Sequence, residues 1–493
     1  MTLMDNRHTA ATWTKQYISG KWVDGKGEKM LENINPYTDE VIAVWRSSSK
    51  EDIDRAYQSA KKSAVEWKAA LPSVKEGVLR KMSSLMDERK EEIIRLLITE
   101  SGSTRIKAEA EFAAAKRVVD ESASFPFRMK GELLPSNTPG KENRVVREPK
   151  GVIGVIGPWN FPLHLCLRSV APAIALGNGV VIKPASDTPI TAGWLIADLF
   201  EQAGLPEGVL NVVAGSGSEI GDYFVTHPVP KVISFTGSTE VGRGIGKLAG
   251  EQLKETALEL GGNNAMIVLE DADIEHAAQA AVFGKFLHQG QICMALNRII
   301  VHADIYDRFL QSFVDKAKNI QAGDPADPNT LVGPLIRQKE VKRLLELVKQ
   351  AEEEGAKLLL GGTHEQAVLQ PTVLADVKPD QEIVQQELFG PVALIMKAKD
   401  EQQAIELAND TPYGLSGSVF TTNLERGYHA AQQIESGMVH VNDQSVNDEA
   451  HVMFGGEKSS GIGRFGGDWA IDKFTRTRWI SLQHQHRDYP GVK

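Results

Sequence analysis

Four short apolar runs follow one another between positions 151 and 237: GVIGVIG (151–157), GVVIKP (179–184), GVLNVVAG (208–215) and KVISFTG (231–237). Each ends in a turn, and helical stretches such as TAGWLIADLFEQAG lie between them. A strand with one face in water alternates polar with apolar residues. These runs do not, so both faces are covered, as in a parallel sheet with helices on either side. The alternation of strand and helix resumes after Leu258 with NAMIVL, a helix from Asp273, and then PVALIMKA, GSVFTT and GMVHVN. The pattern predicts two α/β units in series with their junction near 257. A chain of 493 residues exceeds a single core.

Upstream, residues 49–67 predict an amphipathic helix. Ile53, Ala56, Tyr57, Ala60, Ala64 and Trp67 recur at three- and four-residue steps, and Ser49 with Asp52 has capping-box spacing. A second helical region follows from roughly Val74 to Glu121. KGELLPSNTPGKENRVVREPKG then sets Pro and Gly turn signals between β-prone pieces and predicts a hairpin.

The 42% hydrophobic and 24% charged residues are those of a soluble globular protein. A formal charge of −10, with no basic run interleaved with aromatics, argues against nucleic acid as a partner. No stretch approaches 18 uninterrupted apolar residues, so no membrane span is expected, and the N-terminus lacks the zones of a signal peptide. Two cysteines, Cys166 and Cys293, then read as reduced thiols in a cytoplasm. No metal site is expected.

Two glycine loops compete for a phosphate. GIGRFG (461–466) matches the dinucleotide pattern G-x-G-x-x-G, but no β-run leads into it and no βαβ unit follows. ISFTGSTEVGRGIGKLAG (233–250) is better placed: a strand runs into Thr236, Gly237 and Ser238, and a helix opens at once. Free N–H groups there can bind a pyrophosphate, although an ordinary capped turn has the same pattern. Lys183 ends a buried strand, where open sheets bind ligands.

Three residues carry candidate chemistry. Cys293, in GQICMALNR, is either a small buried hydrophobe or a nucleophile. Glu259, between Leu258 and Leu260, is either on the exposed side of a strand, which the local pattern favours, or desolvated as a general base. Asn160, in GPWNFP, is either a turn asparagine or a fixed donor to an oxyanion.

Taken in order, PWNFP, IKPAS, FTGSTEVG, LELGGNN, GQICMALNR, ELFGP and FGGEKSSGIGR resemble the aldehyde dehydrogenase superfamily from about residue 15 to 485, and among its members the bacterial benzaldehyde- and vanillin-type enzymes. The resemblance implies an α/β fold of two Rossmann-like parallel-sheet domains plus a small β oligomerisation element. Residues 1–125 and 148–257 would form the NAD(P)-binding domain and 258–440 the catalytic domain. Residues 441–469 would return to line the substrate channel, while 126–147 and 470–493 would pair subunits into a homodimer or homotetramer.

It also implies oxidation of an aldehyde to the carboxylic acid with NAD or NADP, through a cysteine thiohemiacetal and thioester. Cys293 would attack the carbonyl, Asn160 and the Cys293 N–H would hold the oxyanion, and Glu259 would activate water. Lys183 and Ser186 would meet the adenosine ribose, Gly217 and Gly221 the adenine side, and Ser238 the pyrophosphate. Glu387 would meet the nicotinamide ribose, with Phe389 beside the ring. Ile156, Trp159, Phe235, Thr236, Gly237, Val241, Leu260 and Gly261 would complete the cofactor pocket.

Phe161, Leu165, Ile292, Met294, Val446 and Phe454 would make a mainly apolar channel, suited to aromatic or long aliphatic aldehydes. Arg168 would stand in that wall, with a structural salt bridge as its expected role. Ser186 replaces a glutamate of many NAD-preferring relatives, which implies use of both cofactors. Cys166 would be a core thiol on a helix buried on one face. Two alternatives are a CoA-acylating relative, which Glu259 argues against, and a non-catalytic protein on the same scaffold, which the intact Cys293, Glu259 and Asn160 argue against.

Overall fold

A computed structural model describes residues 12–491. Its first sheet has eight strands, and five of them run parallel in the spatial order Leu210–Val212, Gly179–Lys183, Val152–Ile156, Val232–Thr236, Glu255–Glu259. The chain starts at Val152–Ile156, builds outward on one side, and then crosses to build on the other. The order therefore reverses between Val152–Ile156 and Val232–Thr236. A crevice opens at such a reversal, beyond the carboxyl ends of the strands, and there open sheets take ligands. GPWNFP and Thr236–Ser238 both emerge at that point.

Antiparallel strands cap both edges: Gln16–Ile18 with Lys21–Val23 on one side, and Gly461–Ile462 on the other. The GIGRFG segment is thus an antiparallel edge strand and turn before the helix Gly467–Phe474, not a loop that follows a parallel strand. The second sheet has seven strands centred on Asn264–Val268, Leu296–His302 and Val392–Ala398, all parallel except Lys357–Leu360 at one edge. Only Leu260–Asn263 separates the last parallel strand of the first sheet from the first strand of the second. A third, antiparallel sheet joins Thr475–Gln483, Lys141–Pro149 and Glu132–Leu134.

The helix Lys50–Ala69 begins at a capping box, in which Ser49 accepts from the Asp52 N–H and the Asp52 carboxylate accepts from the Ser49 N–H. The helical region expected from 74 to 121 is three helices, Pro72–Glu88, Lys90–Ser101 and Arg105–Ala123. Arg89 leaves helical geometry at the first break, where its guanidinium reaches sideways to Asp198 and Glu92; Gly102, at φ 64°, makes the second.

One expectation fails here. The helix Pro162–Ala175, read as buried on one face, has all 14 residues buried. It is packed against Arg105–Ala123, against Gly467–Phe474 and against the sheet, so no face is left for water. Among the described residues no helix is long and apolar enough to cross a membrane.

Candidate active site

The helix Ile274–Phe286 gives way to three consecutive left-handed residues, His288 (φ 50°), Gln289 (φ 56°) and Gly290 (φ 71°). Non-glycine residues pay for that conformation, so the surroundings must fix it. The Gln289 amide donates to the carbonyls of Gly102 (3.1 Å) and Pro334 (2.8 Å), and Gln291 Oε1 accepts from the Ile336 N–H at 3.0 Å. A Cβ on Gly290 would lie 2.4 Å from the Gly390 carbonyl, so only glycine fits. Cys293 follows, half-buried, with its carbonyl accepting from Asn264 Nδ2 at 2.8 Å. Burial pushes its thiol up to about 12; Arg168 opposes the shift, while Glu387, Glu259 and Asp448 add to it. At neutral pH the resting thiol keeps its proton until a base takes it.

Glu259 ends its strand, between Thr236 on one neighbour and Gly461 on the other. Its side chain is 2% exposed, which corrects the exposed reading of the local pattern: the returning strand Gly461–Ile462 closes the sheet edge beside it, so Glu259 is not on an open strand. Neither carboxylate oxygen has a hydrogen-bond partner among the described residues. Burial raises the carboxyl to about 8, with Arg168 and Arg464 pulling the other way. That value suits a general base near neutrality.

Asn160 lies in the turn after Val152–Ile156 and is buried. Its Nδ2 donates to the Gln291 carbonyl at 2.9 Å, two residues before Cys293. An amide nitrogen has two hydrogens, so one remains for another acceptor. The Asn160 carbonyl accepts from Lys107 Nζ at 2.6 Å.

On the side of the crevice, Lys183 ends its strand fully buried, and its ammonium meets only the Pro184 carbonyl at 3.5 Å among the described residues. Burial lowers its pKa to about 8. Ser186 Oγ donates to the Gly215 carbonyl at 3.4 Å. A Cβ on Gly217 or Gly221 would meet nothing within 4 Å. Ser238 caps the helix Thr239–Glu251 and takes the Val241 N–H. Gly237 turns tightly beneath Phe235, whose ring a Cβ there would approach to 2.5 Å.

The Gly237 N–H donates to the Glu259 carbonyl (3.0 Å), tying this loop to the base. Thr236 ends the strand before it, Leu260 packs against Gly242, and Ile156 bridges two apolar clusters. Gly261 donates to Thr239 Oγ1 (3.2 Å) and Gly262 to Glu387 Oε1 (2.9 Å). Burial raises Glu387 to about 7. Phe389, at φ 52°, sets its ring edge-on to Trp159 at 5.4 Å. A scarcely engaged buried lysine, an open helix start and side-chain-free space beside two glycines fit an extended anionic ligand such as a dinucleotide.

Phe161, Leu165, Ile292, Met294, Val446 and Phe454 are all buried or half-buried, and all but Leu165 belong to or pack against one apolar cluster. Arg168 breaks its apolar character. The guanidinium is 4% exposed, lies 4.0 Å over the Phe454 ring and 5.0 Å from Phe465, and approaches Asp448 at 3.7 Å. None of its three nitrogens makes a hydrogen bond among the described residues, so the expected salt bridge is a loose one. Asp448 is engaged instead by His164 Nε2 at 2.8 Å. Cys166 is fully buried, against the position a Gly157 side chain would take.

Lys107, Glu111 and Asp448 join this site without a motif to announce them. The only trace of the first two is that, one helical turn apart, they sit beside the buried Ala108 and Phe112.

Residues 22–480 match the aldehyde dehydrogenase family profile. The chain is 54% identical over 472 residues to the vanillin dehydrogenase of Corynebacterium glutamicum, covering 95% of this chain and 98% of that one. It is 51% identical over 476 residues to the benzaldehyde dehydrogenase YfmT of Bacillus subtilis, covering 97% and 98%. The crystal structure of an NAD-dependent benzaldehyde dehydrogenase from Corynebacterium glutamicum superposes with a TM-score of 0.89 at 50% identity, covering 97% of this chain and 99% of the other. The chain belongs to the aldehyde dehydrogenase family.

Proposed function

We propose that the protein oxidises aromatic aldehydes to carboxylic acids with NAD or NADP, in the cytoplasm and as a homodimer or homotetramer. One observation carries the reading: a half-buried thiol and an unpartnered buried carboxyl share one electrostatic environment, and the Asn160 amide is anchored on the thiol's own loop.

Cys293 Sγ loses its proton to solvent water and the thiolate attacks the aldehyde carbon. A C–S bond forms and the carbonyl oxygen becomes an oxyanion in a thiohemiacetal. The second hydrogen of Asn160 Nδ2 and the Cys293 N–H donate to that oxygen. When bound, the dinucleotide supplies the acceptor for the hydride, and its loss leaves a thioester on Cys293. Glu259 takes a proton from water as the water attacks the thioester. The C–S bond breaks and the acid leaves.

Lys183, Ser186, Gly217, Gly221 and Ser238 would hold the adenosine diphosphate part, with Glu387, Phe389 and Trp159 around the nicotinamide. In domain terms, 1–125 with 148–257 would hold the dinucleotide, 258–440 would supply the nucleophile, and 441–469 would close the channel. Residues 126–147 with 470–493 would join subunits. Leu133, 73% exposed, and Trp479, 67% exposed, on that small sheet support a subunit contact. Light scattering after size exclusion tests it; a monomer at micromolar concentration overturns it.

The apolar wall and the relatives named for vanillin and benzaldehyde support an aromatic substrate. With substrates compared by NAD(P)H absorbance, kcat/KM for benzaldehyde and vanillin should exceed that for betaine aldehyde by about a hundredfold. The reverse order overturns the assignment. Ser186 puts no carboxylate against a 2′-phosphate, so NADP should support turnover. A preference for NAD above about a thousandfold overturns that part.

A further inference from the structure

Behind the catalytic loop, Lys107 and Glu111 form an ion pair at 2.5 Å in which both side chains are wholly buried. Moving two charges out of water costs more than their attraction returns unless every donor and acceptor is used. Here they are. Lys107 Nζ donates to Glu111 Oε2, to Ser103 Oγ at 2.8 Å and to the Asn160 carbonyl at 2.6 Å. Glu111 Oε1 accepts from the N–H groups of Leu163 (2.9 Å) and His164 (3.2 Å).

Those two are the first free N–H groups of the helix Pro162–Ala175. Pro162 has none, and Phe161 at the cap position has no side-chain oxygen to offer. A carboxylate from a distant helix therefore caps this one. The Lys107 ammonium also lies 4.2 Å over the Phe161 ring, which meets His288 edge-on at 5.6 Å in the left-handed segment before Cys293.

We propose that the Lys107–Glu111 pair positions the oxyanion donor. It grips the Asn160 peptide from one side and the helix start just beyond it from the other, so the Asn160 side chain is held toward the Gln291 carbonyl and the Cys293 loop. The proposal rests on the catalytic reading above. Lys107 and Glu111 are positioning residues: both act through Asn160, and two apolar side chains of similar size would fill the same space without fixing that peptide.

The test compares the wild-type protein with Lys107→Met, Glu111→Gln and the double variant Lys107→Met/Glu111→Leu, reading thermal midpoint, kcat and KM for each substrate. Lys107→Met strands a buried carboxylate and should lose both stability and turnover. The double variant removes both charges together, so its midpoint should return toward wild type. Its kcat should stay about ten- to a hundredfold low, with KM for the dinucleotide within about twofold. Glu111→Gln keeps an acceptor for the helix N–H groups but leaves the Lys107 ammonium without its counter-charge, so its midpoint should fall while the helix start stays capped. It should lose about tenfold in kcat at unchanged dinucleotide KM.

Wild-type kcat in either the double variant or Glu111→Gln overturns the proposal and leaves the pair a packing feature. A wild-type protein that oxidises no aldehyde sinks the catalytic reading instead, so the two failures are distinct.

Discussion

Cys293→Ala should lower aldehyde oxidation by roughly ten-thousandfold or more, because no other described group can form the covalent acyl intermediate. Dinucleotide affinity should be unchanged by isothermal titration calorimetry, since Lys183, Ser238 and Glu387 are untouched. Stability should drop by about 1 kcal/mol or less, as the side chain is small and only half-buried. The second cysteine supplies the contrast. Cys166 is fully buried in the apolar core beside Gly157, and burial pushes its thiol far above the usual range. Cys166→Ala should cost about 1–2 kcal/mol in stability and leave kcat within about threefold. Thiol alkylation should fall on Cys293 and speed up about tenfold per pH unit above neutrality, because its thiolate is scarce at pH 7. Retained turnover in Cys293→Ala would remove covalent catalysis from the reading.

The central strands were legible because their burial is written into contiguous residues. GVIGVIG, GVVIKP and KVISFTG become Val152–Ile156, Gly179–Lys183 and Val232–Thr236, each apolar on both faces. The edges were not legible. Gln16–Ile18 and Gly461–Ile462 are three and two residues long and each is held by a strand far along the chain, while Lys21–Val23 pairs only with Gln16–Ile18 beside it in a hairpin. The same remoteness hid the state of Glu259, whose neighbouring strand begins only at Gly461. For Pro162–Ala175 the pattern pointed the other way: His164 and Arg168, one turn apart, mark a polar face in PLHLCLRSVAPAIA, and that face is covered only because Asp448 and Phe454 meet it from far along the chain.

The site divides along the same line. Cys293, Glu259 and Asn160 lie in short motifs whose order carried the resemblance. Lys107 and Glu111 lie in no such motif; opposite charges four residues apart have the spacing of an ordinary helical pair on a surface. Only the landing place of the Asn160 turn puts them inside.

The base offers the sharpest separation of the two half-reactions. Glu259→Gln should leave acylation of Cys293 largely intact while slowing hydrolysis about a hundred- to a thousandfold, so one equivalent of reduced cofactor appears in a burst and steady turnover then falls. In the wild-type protein the carboxyl must be ionised to accept a proton from water. With its value raised to about 8, hydrolysis should climb about tenfold per pH unit below that point and level off above it. The Gln variant should lack that limb.

Stability runs the opposite way. Burial raises the folded-state value above the ordinary 4.5, so the folded protein binds this proton more tightly than the unfolded chain does. The associated stability is fully present below pH 4.5 and is lost as pH rises toward 8. Glu259→Gln carries no such penalty and should be the more stable protein at pH 8, by about 1–3 kcal/mol, with little difference at pH 4.5. A protein that gains stability as it loses turnover marks Glu259 as a charge held in an unfavourable place for its chemistry. Wild-type turnover without a burst in the Gln variant would assign the water activation to another group.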